Sequence, residues 1–359
     1  MTRPNKRVAI LALTATGVTL ARRLQSRLRD QQLAVQVVLP AKFAQGREQS
    51  YASGQFKSAF RQAFTDSAYV ICIMATGIVV RTLAPLVQDK RCDPAVLVMD
   101  ERGQHVISLL SGHVGGANAF TKWISELIKA DPVITTATDV AGVQALDVLA
   151  KQLHAWYPEF KRNTKQINGR LAAGKPVSLW IAPEFQSQVT NTRGFQVVTD
   201  LAAADPTAPL IAVTDQQLTV KRDNLIPMIP RLDVLGVGCR KSVTNAMMFA
   251  AFSEFCQQEK IAWHAIDQIA SIEKKAHETA IHELAATLDV PATFYSANQL
   301  RASSAHYAQS DFVKKTVGIG NVACAAADFA SGQRVVTPRY AGHEITFALG
   351  RKKQTEMSE

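Results

Sequence analysis

Ser111-Gly112-His113-Val114-Gly115-Gly116-Ala117-Asn118 gathers an imidazole, a hydroxyl and an amide on a loop rich in glycine. A histidine with an ordinary pKa of about 6.5 suits proton transfer near neutral pH, so His113 is the candidate base. Ser111 can donate to an oxyanion, and the Gly112, Gly115 and Gly116 backbone can approach a ligand or serve tight packing. No Gly-x-Ser-x-Gly elbow surrounds Ser111, which argues against a serine nucleophile. Downstream, Thr135-Thr136-Ala137-Thr138-Asp139 brings hydroxyls for a substrate. Its carboxylate can orient His113, act as a second base or cap the next helix. Upstream, Thr76-Gly77 and Arg81 form a second element, in which Arg81 grips a carboxylate bidentately or makes a surface ion pair. Farther on, Gly236, Gly238, Arg240 and Lys241 suit an anion cradle, whereas the missing third glycine and acidic residue speak against a dinucleotide site.

These residues need a scaffold. Val8–Leu13, Val35–Leu39 and Tyr69–Met74 read as strands alternating with helices over Val18–Arg29 and Gln55–Phe64, the pattern of a doubly wound, mostly parallel α/β sheet. Two further strands, Val96–Met99 and Val106–Leu110, flank a tight Glu101-Arg102-Gly103-Gln104 turn, with Asp100 also a turn residue. The second of them empties into the His113 loop, and a helix follows with Phe120, Trp123, Ile124, Leu127 and Ile128 on one face. The loop is therefore expected at the carboxyl edge of the sheet and at a helix N-terminus, where anions are favoured. Val133–Thr136 closes this domain, residues 1–138. Residues 139–231 read as a less regular middle segment, with a helix over Asp147–His154 and strands at Val177–Ile181 and Leu210–Val213. Residues 232–350 read as a second α/β domain. It opens with a strand from Val234 that runs into a Gly-x-Gly loop at Gly236 and Gly238 and then a helix over Ser242–Glu259. Further strands are expected at Ile266–Ile272, Pro291–Tyr295, Val313–Ile319 and Ile345–Leu349. Residues 351–359 are a basic, polar tail.

The 359 residues carry a net charge of +10 and are 47% hydrophobic, a composition of soluble globular chains. The basic residues are dispersed and match no nucleic-acid-binding motif, so a small polyanion meets the same electrostatic demand. No apolar run reaches the roughly 20 residues of a membrane span, and the start of the chain reads as a buried strand rather than a secretory signal. Cys72, Cys92, Cys239, Cys256 and Cys324 form no Cys-x-x-Cys pair, which fits free thiols of a reducing cytoplasm and no metal site.

Met-Ala-Thr-Gly-Ile-Val-Val-Arg, Ser-Leu-Leu-Ser-Gly-His-Val-Gly-Gly-Ala-Asn and Pro-Val-Ile-Thr-Thr-Ala-Thr-Asp, in that order, resemble the cobalt-precorrin-5A hydrolase family (CbiG) of anaerobic cobalamin biosynthesis. Ser271–Lys275 and Val317–Gly320 extend the likeness into the third segment. The resemblance implies an enzyme that opens the δ-lactone of a cobalt tetrapyrrole and releases the two-carbon fragment as acetaldehyde, giving cobalt-precorrin-5B. The substrate would bring its own cobalt, with no protein cofactor, and its carboxylates would answer the positive charge. Transient contact with the pathway's methyltransferases is also implied. Where relatives usually carry Glu and often carry Lys, this chain has Cys324 and Arg339, so catalysis is expected in the N-terminal domain with the C-terminal domain closing over the substrate. A non-catalytic corrinoid carrier, or an enzyme holding a nucleotide phosphate, remains the alternative on the residues alone.

Overall fold

A computed structural model of the chain describes residues 7–46, 48–89, 92–220 and 222–353. The chain divides into two compact units, one running up to Val148 with Asn168–Gly174, the other comprising Leu149–Ile167 and the chain from Lys175 onward.

The first unit runs β1 (Arg7–Ala12), α1 (Ala15–Asp30), β2 (Ala34–Pro40), β3 (Gln49–Tyr51), α2 (Phe56–Asp66), β4 (Tyr69–Ile73), α3 (Thr76–Leu83), β5 (Ala95–Met99), β6 (His105–Leu110), α4 (Ala117–Ile128), β7 (Asp131–Val133) and α5 (Ala137–Val140). Among the described residues its strands make one sheet in the order β3-β2-β1-β4-β5-β6-β7. Strands β1 to β5 are parallel, β6 returns antiparallel to β5, and β7 runs parallel to β6. The central strands are apolar throughout because both faces are covered. Val8 and Ile10 pack with Leu24 of α1 and Ile124 of α4, while Ala9 and Leu11 pack with Phe60 of α2 and Val79 of α3. Helix α1 begins where the Thr14 hydroxyl accepts the Gly17 N–H at 3.2 Å. It buries Leu20, Leu24 and Leu28, each worth about 1.5–3 kcal/mol. Between β5 and β6, the Asp100 carboxylate accepts the N–H groups of Arg102, Gln104 and His105, which fixes the hairpin.

After α6 (Leu146–Gln152), the chain forms β8 (Ala155–Trp156), α7 (Phe160–Ala172), β9 (Ser178–Ile181), β10 (Gln196–Val198), β11 (Leu210–Val213) and β12 (Leu225–Pro230). The strands pair as β10-β9-β11-β12-β8. The middle segment is thus more regular than its sequence suggests: β9 to β12 are parallel, but most are only three or four residues long. Such strands give too short a period to read.

The remainder runs β13 (Asp233–Cys239), α8 (Asn245–Gln258), β14 (Ile266–Ile272), α9 (Thr279–Leu288), β15 (Ala292–Tyr295), α10 (Ala297–Ser304), α11 (Asp311–Val317), α12 (Ala323–Ser331), β16 (Tyr340–Gly342) and β17 (Ile345–Arg351), with sheet order β15-β14-β13-β17-β16. The strand expected over Val313–Ile319 is instead helix α11. Ser310 caps it by accepting the Val313 N–H, Asp311 complements the first turn, and Gly318 ends it at φ +88°.

Gly236 and Gly238 do not form a loop either; both lie within β13. A Cβ at Gly236 would stand 1.9 Å from the Ala323 carbonyl oxygen, so α12 rests directly on the strand's backbone. Gly350 on β17 makes the same allowance, its Cβ direction meeting the Ala327 carbonyl oxygen at 2.4 Å. At Gly236 and Gly350 the missing side chain serves helix packing. Gly236→Ala is therefore expected to lift α12 and cost about 1–3 kcal/mol or more. Thermal denaturation should show a melting temperature lower by several degrees, and an unchanged one would disprove this packing account.

Candidate active site

Ser111 starts the loop after β6 in a left-handed conformation, φ +59°. The chain then folds back on itself: the Gly116 N–H donates to His113 O, Ala117 to Ser111 O and Asn118 to Gly112 O, all at 3.0–3.1 Å. Gly116 reaches φ +87° to start α4. A Cβ at Gly115 would lie 2.3 Å from that of Ser111, and one at Gly112 would lie 2.7 Å from Asn118 Oδ1. These glycines make the turn possible: at Gly112 and Gly115 the space a side chain would need is taken by the loop's own residues.

The turn delivers the His113 ring to a cluster of carboxylates. Its Nε2 lies 3.3 Å from Asp139 Oδ2 and 3.0 Å from Thr138 Oγ1, and its Nδ1 lies 3.3 Å from Asp147 Oδ1. The side chains are 14% exposed for His113, 19% for Asp139 and 2% for Asp147. Burial lowers the His113 pKa, but the hydrogen bond and charge of Asp147, followed by those of Asp139, outweigh it and leave the pKa raised. Two carboxylates on opposite ring nitrogens match an imidazolium, which has two N–H donors. Burial likewise works against the charge on Asp139; the hydrogen bond and charge of Lys122, the Asn118 amide and His113 together hold its pKa below the ordinary value.

Asn118 ties this cluster together. It is 5% exposed, takes a hydrogen bond from Ser108 Oγ at 2.6 Å, and donates to Thr136 Oγ1 at 2.9 Å and Asp139 Oδ2 at 2.8 Å. All these contacts are internal, so Asn118 positions Asp139 rather than presenting an amide to a substrate. Ser111 is also occupied, its buried hydroxyl donating to the Asp93 carbonyl at 3.2 Å. Thr135 is exposed, and Thr136 faces Asn118.

The sheet's topology corrects one expectation. Because β6 is antiparallel to β5, the His113 loop lies beyond the carboxyl end of β6 but at the amino ends of β1 to β5. The rule that ligands bind at the carboxyl edge of a parallel sheet does not select this loop. Thr76, Gly77 and Arg81 follow β4 directly and lie at the opposite edge, about 15 Å away by strand length. There Arg81 is exposed and donates to the Gly77 carbonyl of its own helix at 3.3 Å. The structure does not bring these three residues to His113.

In the second unit, Gly238, Arg240 and Lys241 lie along a cleft of about 920 Å³ at the carboxyl end of β13, while Gly236 is covered by α12. Arg240 pairs with Glu344 at 2.9 Å. Burial pushes the Cys239 thiol up to about 11 and raises that of Cys324, so neither is poised as a thiolate.

The chain is 38% identical to a cobalt-precorrin-5A hydrolase of Salmonella typhimurium over 354 residues, which span 96% of this chain and 97% of that relative. Three family models match in order: cobalamin synthesis G N-terminal at residues 58–139, cobalamin biosynthesis central region at 144–230, and cobalamin synthesis G C-terminus at 234–350. The chain belongs to the cobalt-precorrin-5A hydrolase family. A second member, from Priestia megaterium, is 29% identical over 340 residues, covering 90% of this chain and 89% of its own. A solved protein described as a cobalamin biosynthesis protein G homolog of Sulfolobus solfataricus aligns over 98% of this chain and 99% of its own, with 16% identity and a TM-score of 0.41.

Within this family member, the sequence points to His113 and Asp139 and, through the hydroxyls of its Thr-rich motif, to Thr138, but not to Asp147 or Lys122 as members of the cluster. Asp147 follows the Thr-rich motif and reads only as part of a helix start. In the structure Asn168 holds this turn, its Nδ2 donating to Asp147 Oδ1 at 2.9 Å and its Oδ1 accepting the Leu146 N–H at 2.8 Å. No described helix is long and apolar enough to cross a membrane.

Proposed function

We propose that His113, flanked by Asp139 and Asp147, moves the protons in opening the δ-lactone of cobalt-precorrin-5A, and that the same protein releases the two-carbon fragment as acetaldehyde to give cobalt-precorrin-5B. The chain is a hydrolase of cobalamin biosynthesis. The observation that carries the assignment to this site is the imidazole held between two carboxylates, one at each ring nitrogen.

In this reading the neutral ring accepts a proton from water as its oxygen adds to the lactone carbonyl. The imidazolium so formed is stabilised by Asp139 and Asp147, and it returns the proton to the departing ring oxygen. Water is consumed, and a carboxylic acid and an alcohol result. Removal of the alcohol proton then lets the carbon–carbon bond break, the electrons remaining in the macrocycle and its cobalt while the carbonyl of acetaldehyde forms. The cobalt belongs to the substrate, and the reading needs no cofactor held by the protein. Transient contact with methyltransferases acting before and after this step belongs to the same proposal.

Purified protein incubated with cobalt-precorrin-5A is expected to release one acetaldehyde per substrate consumed, read by NADH oxidation in an alcohol dehydrogenase couple. Lactone opening without acetaldehyde would remove the second half of the reading. Tight binding with neither reaction would favour the carrier.

A further inference from the structure

The cleft at the carboxyl ends of β13 and β14 has features that helix packing does not explain. It is about 920 Å³, near the upper end of ordinary small-ligand sites of roughly 300–1,000 Å³. Ile272, Val317, Val322 and Ile345 give it an apolar lining. Four cations line it too, and two of these are neutralised: Arg240 by Glu344 at 2.9 Å and Lys275 by Glu278 at 2.9 Å. Among the described residues, Lys241 and Arg339 have no carboxylate partner, and both are exposed. Phe312, in the first turn of α11, also lines the cleft and is 69% exposed. An aromatic ring held in water beside an apolar cleft with two unpaired cations suits a ligand that is flat, apolar on its face and anionic at its edge.

We propose that this cleft docks the tetrapyrrole, with Phe312 against the face of the macrocycle and Lys241 and Arg339 taking carboxylates on its rim. The proposal rests on the hydrolase reading for the ligand's identity, but not on His113 as its base. A guanidinium such as that of Arg339 can hold a rim carboxylate at two points, where an ammonium offers a single charge.

The test uses cobyrinic acid, a cobalt corrin that keeps its peripheral carboxylates, and its fully methylated ester, which has the same ring without the charge. Binding is followed by quenching of tryptophan fluorescence. The wild-type chain is expected to bind the acid more tightly than the ester. Arg339→Gln and Lys241→Gln should each weaken the acid about tenfold and leave the ester unchanged, while Phe312→Ala should weaken both. All three side chains are exposed, so the variants should fold, and circular dichroism checks that they do. Failure of the wild type to bind the acid, or equal affinities across the wild type and the three variants, overturns the proposal. The acetaldehyde assay separates the two readings. Turnover by the wild type with KM unmoved in all three variants sinks the cleft and spares the hydrolase reading; binding through these residues without turnover does the reverse.

Discussion

His113→Asn is expected to lower the turnover of cobalt-precorrin-5A by about 10²–10⁴, the usual contribution of a positioned general base. KM should change little, because the ring is held by Asp139, Thr138 and Asp147 and, in the proposed reaction, acts on the attacking water rather than gripping the substrate. The pH profile supplies the sharper reading. The His113 pKa is raised above its ordinary value, so the neutral ring is scarce at pH 6.5 and becomes abundant only above it. The wild-type rate should therefore still be climbing through pH 6.5, and the Asn variant should lack that limb. Stability runs the other way. A raised folded pKa means that the ion pairs of His113 stabilise fully below the unfolded pKa of about 6.5 and fade as pH rises through the folded value. Urea denaturation of the wild type should show this loss on the alkaline side, and the Asn variant should not. Near-normal acetaldehyde release by the variant would make His113 a loop residue and leave Asp139 as the better base.

Much of the scaffold could be read from the residues because its signals are local. Val8–Leu13 is apolar at every position, which only a strand buried on both faces requires. The apolar run ending at Leu110 and the Gly-Gly start of α4 mark their own boundaries. The edge on which the loop lies is not local. It depends on β6 pairing antiparallel with β5, and the tight turn at Asp100 that dictates this was itself legible. The hairpin is a local signal, but its effect on the sheet edge is long-range, which is why Thr76, Gly77 and Arg81 stand at the other end of the strands from the His113 loop. The glycines misled for a different reason. A residue without a Cβ is equally useful to a ligand and to a neighbouring backbone, and at Gly115 and Gly236 the neighbour is the protein itself. Asp147 was invisible because its value lies in a contact between segments that no spacing rule connects.

Asp147→Asn is the second large effect expected, a fall in turnover of up to about 10⁴, which is the loss when a buried carboxylate behind a catalytic histidine is replaced by its amide. Asp147 is well placed for that role. Its side chain is 2% exposed, and its Oδ1 is fixed by the Asn168 amide at 2.9 Å while facing His113 Nδ1 at 3.3 Å. Its hydrogen bond and charge are the largest contributions holding the His113 pKa up against burial. Removing the charge while keeping the shape should thus let burial prevail: the His113 pKa falls, and the acidic limb of the rate profile moves to lower pH. NMR of the His113 ring protons should report the same displacement without substrate. The slower rate and the shifted limb must appear together, because the carboxylate that stabilises the imidazolium also makes the neutral ring a stronger base. Asp139→Asn should move the limb less, since Asp139 contributes less to that pKa and shares its charge with Lys122 at 2.9 Å. A loss of turnover in Asp147→Asn with the limb unmoved would mean that Asp147 only holds Asn168 and the start of α6 in place.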